Sequence, residues 1–96
     1  MDYDVRLTLE CEQWLRRLSD PVAKRAVYNR ISRVRVGNFG DCEPVGGGVH
    51  ELRIPVGKGY RVYFAQRGRT VSLLMGGHKG TQKRHIARAK AMSQTL

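Results

Sequence analysis

Residues 4–9 alternate in polarity, with Val5, Leu7 and Leu9 on one side, the period of a half-buried strand. Cys11, Trp14, Leu15 and Leu18 then follow i, i+3, i+4, i+7 spacing, which predicts a helix ending near Ser19. Asp20-Pro21 restarts the chain as a second helix, because Asp accepts free backbone N–H groups and Pro suits the first helical position. That helix is expected to run to about Val36, with Val22, Ala23, Ala26, Val27, Ile31 and Val34 inward and Gly37 as its stop. Residues 37–48, with five glycines and Pro44, read as loop. Three strands follow, at about 49–56, 60–66 and 69–75.

Side-chain alternation assigns the faces of these strands. Leu52, Ile54, Tyr60, Val62 and Phe64 fall on the core side, together with His50 as a partly buried histidine. Glu51, Arg53, Arg61, Tyr63, Ser72 and Leu74 fall on the other side. A two-residue turn at Arg67-Gly68 pairs Phe64 with Val71 and Val62 with Leu73. Gly76-Gly77-His78-Lys79-Gly80 reads as a loop, and Thr81 as the cap of a last helix through about Ser93 with a weak stripe of Ile86, Ala89 and Met92. The predicted class is α+β: an N-terminal strand, a helical hairpin, a curled antiparallel three-strand meander and a C-terminal helix. One domain is expected over residues 1–96.

Charge adds a second pattern. The formal net charge is +10, and no acidic residue follows Glu51. The acid-free part contributes ten lysines and arginines, whereas the part before it balances. Such a one-sided field attracts a polyanion. The carboxylate-free half must then draw acids and bases from Lys, Arg, His and Tyr. No run approaches the roughly 18–20 apolar residues that span a bilayer, and the acidic start Met1-Asp2-Tyr3-Asp4 lacks the apolar core of a secretory signal, so a cytoplasmic protein with no membrane partner is expected. Cys11 and Cys42 lack paired metal-ligand spacing, and neither metal nor cofactor is expected.

Arg53 and Arg61, on adjacent strands with the same facing, could grip one phosphate from two sides, since a guanidinium fork binds two oxygens. Tyr63 on the same face could stack on a base. Lys79 lies in the glycine-rich segment, where backbone can approach a ligand. Gln82, Lys83, Arg84 and His85 open the last helix, where basic residues oppose the helix dipole and suit a polyanion. His85 could exchange a proton near neutrality.

The element order and several segments resemble the RelE/ParE superfamily of toxins from bacterial toxin–antitoxin modules, most nearly its HigB-like, phage-associated addiction module killer branch. The segments are Trp14-Leu15, Arg30-Ile31, Gly37-Asn38-Phe39-Gly40-Asp41, Gly48 to Ile54 (GVHELRI), Gly59 to Phe64 (GYRVYF) and Gly76 to Gln82 (GGHKGTQ). The resemblance implies a ribosome-dependent mRNA endoribonuclease: a ribose 2′-OH attacks its 3′ phosphate and leaves a 2′,3′-cyclic phosphate. By position it implies that Arg61 stabilises the phosphate, Arg53 is a basic residue of the preceding strand, Lys79 lies near the group that protonates the 5′ oxygen, and His85 opens the last helix. His78, Gln82, Lys83, Arg84 and Tyr63 are the implied RNA contacts. The implied partners are mRNA, the ribosome and a cognate antitoxin with a helix-turn-helix DNA-binding domain. His78 and His85 stand where that branch usually carries aspartate. The competing readings are a gyrase inhibitor like ParE, or a toxin-derived co-repressor without chemistry.

Overall fold

The structure, a computed structural model, describes residues 2–96. Strand β1, Asp4–Leu7, leads directly into helix α1, Leu9–Arg17. Thr8 separates them: its hydroxyl accepts from the Cys11 N–H at 3.1 Å and donates to the Leu74 carbonyl at 2.5 Å. Leu9, expected to finish the strand on its core side, is therefore already helical and 68% exposed. Cys11 and Leu15 are buried, and burial pushes the Cys11 thiol pKa up to about 12.

Helix α2, Pro21–Arg35, starts as its sequence dictates, with Asp20 Oδ1 accepting from the N–H groups of Val22 (3.0 Å) and Ala23 (3.2 Å). Its buried stripe is Ala23, Val27, Ile31 and Val34, joined by Arg30. Val22 was expected inward but sits one residue, about 100°, off this stripe and is exposed. Gly37 ends the helix at φ 88°, a conformation that a Cβ disfavours.

The segment expected to be loop contains a short strand, β2, Cys42–Gly46. It is an edge strand with a bulge between Pro44 and Gly46, a setting in which proline's missing donor does little harm. Strands β3 (Val49–Ile54), β4 (Tyr60–Arg67) and β5 (Thr70–His78) form the meander, and the five-stranded order is β1-β5-β4-β3-β2. β1 joins β5 in parallel; the other pairings are antiparallel. A 3-10 turn, Lys79–Thr81, leads into helix α3, Gln82–Ser93.

The β4–β5 register departs from expectation in two ways. The turn occupies Gly68-Arg69, with Gly68 at φ 58°, so Phe64 pairs with Leu73 and Gln66 with Val71. Tyr63 then pairs with Met75, leaving Leu74 as an extra residue. This bulge reverses the alternation beyond it. Met75 joins Leu74 on one face, Gly76 faces the other with Val62, and Gly77 sits opposite Arg61. The two glycines thus lie in a strand rather than a loop. A Cβ on Gly76 would come within 2.3 Å of the Trp14 ring, and one on Gly77 within 2.0 Å of His85 Nδ1.

Both faces of the sheet are covered. Helices α1 and α2 pack on the face carrying Leu52, Ile54, Tyr60, Val62, Phe64, Val71 and Leu73. Helix α3 packs on the face that was expected to be open, burying Val49, Tyr63, Ala65, Leu74, Met75 and Ala89 in a second cluster. Ile86 and Met92 complete the contact.

Candidate nucleic-acid interface

Arg53 and Arg61 are direct cross-strand partners on β3 and β4, on the face shared with α3. They are not a bare cationic pair. Between them lies Glu51, 1% exposed, whose Oε2 accepts from Arg53 Nε at 3.4 Å. Its Oε1 lies 3.3 Å from Arg61 Nε and accepts from Gln82 Nε2 at 2.6 Å. The Arg61 contact is an ion pair without hydrogen-bond alignment. On its outer side Arg53 also pairs with Glu43 and, at 4.0 Å, with Asp41. The expected carboxylate-free site is corrected accordingly, because acids from β3, β2 and the segment before β2 fold back among the arginines.

Arg61 is oriented from two ends. Nη1 donates to the Gly59 carbonyl at 3.3 Å, and the Lys79 N–H donates to that same carbonyl at 2.9 Å. Lys79 and Arg61 therefore flank Gly59, whose φ of 75° bends the chain between β3 and β4. The Arg61 side chain keeps 12% of its surface open. Lys79 is exposed, and Lys83 and Arg84 are exposed on the first turn of α3.

His85 lies over Gly77, the cross-strand partner of Arg61. Its Nδ1 is 3.0 Å from Thr81 Oγ1, so Nε2 is the nitrogen that Thr81 leaves unengaged. Thr81 was expected to cap α3. Its hydroxyl instead contacts His85 and donates to the His78 carbonyl at 3.1 Å. Burial first, then Arg84 and His78, holds the His85 pKa below the ordinary imidazole value. At pH 7 the ring is neutral. His78 turns back toward the 3-10 turn, Nδ1 accepting from the Gly80 N–H at 3.1 Å. The two histidines, Trp14 and Tyr60 line a groove of about 420 Å³ between α1 and the start of α3.

No family profile matches the sequence. An uncharacterized protein of Haemophilus influenzae is 44% identical over all of this chain and 98% of that protein. The chain belongs to the family of that protein. A chain in the crystal structure of the toxin–antitoxin complex RelBE2 from Mycobacterium tuberculosis matches the fold with a TM-score of 0.66 at 22% identity, over 82% of this chain and 100% of that one. The fold is RelE-like.

On this RelE-like frame Arg53, Arg61, Lys79, Gln82 and His85 gather around the β3–β4–β5 ends and the start of α3. Tyr63 does not join them as an open stacking surface. It is fully buried under α3, and burial followed by the Glu51 charge pushes its hydroxyl pKa well above the tyrosine range. Gln82 has its amide nitrogen committed to Glu51. His50, expected to be a satisfied histidine, stacks on Phe64 at 5.2 Å and leaves Nδ1 buried without a partner.

Other basic residues of the second half serve the fold. Arg67 donates to the carbonyls of Leu96 and Ser93, Arg69 donates to the Asp2 carbonyl, and Arg88 pairs with Glu10 at 2.8 Å. Sequence reasoning missed Glu51 as a buried group, and it missed Arg30. Arg30 reaches the carbonyls of Arg53 (2.5 Å), Phe39 (2.7 Å) and Asp41 (2.9 Å), fixing the approach to β2. The missed signal for α3 was on the sheet: Val49, Tyr63, Ala65 and Leu74 are too apolar for a solvated face. Among the described residues, no helix is long and apolar enough to cross a membrane, and no group of His, Cys, Asp or Glu is arranged to hold a metal ion.

Proposed function

We propose that this chain is the toxin of a toxin–antitoxin pair, of the HigB-like kind, and that it cleaves mRNA on the ribosome in the cytoplasm. The observation that carries the reading is the oriented Arg61 guanidinium beside Lys79 and His85 on a RelE-like frame. In the proposed reaction the ribose 2′-oxygen forms a bond to phosphorus as the bond from phosphorus to the 5′-oxygen breaks. The 2′ proton passes to His85 Nε2, which is neutral at pH 7. Arg61 and Lys79 stabilise the charge that gathers on the phosphate oxygens, and the departing 5′-oxygen takes a proton from the Lys79 side. Lys83 and Arg84 hold the flanking backbone. Among these parts, stabilisation of developing charge is the largest single contribution. Removal of one such donor typically costs 10²–10³-fold in rate. The cognate partner is an antitoxin whose acidic surface neutralises the +10 charge and which carries a DNA-binding helix-turn-helix.

Primer extension on mRNA after brief induction tests the reading. Cuts in codon register, lost in Arg61→Ala while antitoxin binding persists, are expected. Intact mRNA with arrested replication would replace this reading with gyrase inhibition. Intact mRNA in cells that keep growing would leave an antitoxin-binding co-repressor.

A further inference from the structure

A carboxylate withdrawn from water costs several kcal/mol unless it is paired and hydrogen-bonded. Glu51 is 1% exposed and stands in an otherwise apolar layer formed by Val49, Tyr63, Leu74, Met75 and Ala89. Stability alone would favour an apolar residue at this position, since well-packed hydrophobic side chains often match or exceed buried ion pairs. Its two oxygens are divided between different tasks. Oε2 takes Arg53, which already has Glu43 and Asp41. Oε1 is shared by Arg61 from β4 and Gln82 from α3, so one carboxylate oxygen joins these two elements.

We infer that Glu51 is a positioning residue: its Oε1 fixes the Nε edge of the Arg61 guanidinium and the Gln82 amide together, so that Nη2 is the nitrogen left for the site rim. The geometry follows from the contacts above, whereas its consequence for cleavage rests on the ribonuclease reading. Gly59 completes the clamp by accepting from Nη1, so the fork is held at one edge by a charge and at one tip by a backbone carbonyl. An arginine held in this way loses little further freedom when a phosphate arrives, which is how a fixed fork gains rate rather than binding alone. Neither Arg53 nor Lys79 has this arrangement. Arg53 also meets Glu51 at Nε, but both its Nη groups go to Asp41 and Glu43 rather than to the rim, and Lys79 is tied to Gly59 through its main chain.

The test uses the full chain with Glu51→Gln and Glu51→Asp, and reads water exchange of the Arg61 Nε–H by NMR, assigned with Arg61→Lys. Arg6, on the edge strand β1 and largely exposed, is the internal reference. The expected result is slow exchange in the wild type, at least tenfold faster exchange in folded Glu51→Gln, and partial recovery in Glu51→Asp. Unchanged Arg61 exchange in a folded Glu51→Gln overturns the inference; if that variant does not fold, unchanged exchange in Glu51→Asp overturns it. The second arm is a cleavage cycle. Glu51→Gln should lower kcat by 10- to 100-fold with little change in KM, and should add nothing in the Arg61→Ala background. Multiplicative losses would overturn the inference. A wild type that cleaves no mRNA refutes the ribonuclease reading, and the exchange measurement still decides the positioning role.

Discussion

Gly76→Ala is the sharpest test of the β5 bulge. The bulge at Leu74 turns the Gly76 Cα toward α1, and the added methyl would lie 2.3 Å from Trp14 Cε3 and 2.4 Å from Cδ2 and Cζ3. Carbon atoms in favourable contact stand about 3.5–4.0 Å apart, so the ring must withdraw by more than about 1 Å. The ring can give way only toward the groove it lines, because the helix that carries it is held at its start. The Thr8 hydroxyl pins the start of α1 to Leu74, and the Arg88–Glu10 pair ties α1 to α3. Overpacking of this kind costs about 1–3 kcal/mol, and a rigid indole against backbone belongs at the upper end. At about 4–8 °C per kcal/mol for a domain of this size, Tm should fall by about 12–24 °C. Thermal unfolding followed by circular dichroism reads it. Trp14→Leu should relieve the clash, so the double variant should be more stable than the two separate losses predict. A Gly76→Ala protein melting within about 2 °C of wild type, or strictly additive losses, would refute the bulged register.

Gly77→Ala should behave in the opposite way, because its methyl meets the movable imidazole of His85 rather than a packed indole. Loss of the Thr81–His85 contact costs about 1 kcal/mol, whereas the mRNA cleavage proposed above should fall at least tenfold as the ring leaves its place. Arg30→Met should destabilise the fold by about 3–5 kcal/mol in denaturant titration, since three carbonyls lose a charged donor in a buried place. For His85 the folded pKa lies below the unfolded value, so the unfolded chain binds more protons in acid. This contribution to stability is complete above about pH 6.5 and is lost as pH falls toward the lower folded pKa. Tm measured from pH 7.5 to 5 should decline, and His85→Asn should flatten that part of the decline. An identical slope would refute the assignment.

Much of the frame was legible because it follows from local rules. The Asp20-Pro21 start, the buried stripe of α2 and the three-strand meander all carry strong periodic or capping signals. β2 was hidden by its own composition, since glycines and Pro44 are turn formers that an edge strand also tolerates. The bulge had no local signal. Leu73, Leu74 and Met75 are apolar in either register, and cross-strand pairing across the sheet decides between them. At the site, alternation placed Glu51, Arg53 and Arg61 together on one face. It could not reveal that α3 would close over that face, because burial depends on a helix whose apolar stripe is weak.

The parallel pairing of β1 with β5 governs the order in which the chain can assemble. Asp4 to Leu7 find their partners only at Thr70 to Leu73, and the Thr8 hydroxyl waits for a carbonyl 66 residues further on. Contacts of such long reach close slowly, because loop entropy is lost before they form. During synthesis the helical hairpin is complete early, yet its first strand stays unpaired until most of the chain exists. The site assembles later still, since α3 and Gln82 follow β5. A growing chain therefore passes through a long interval in which the helices have emerged and the candidate site has not yet been built.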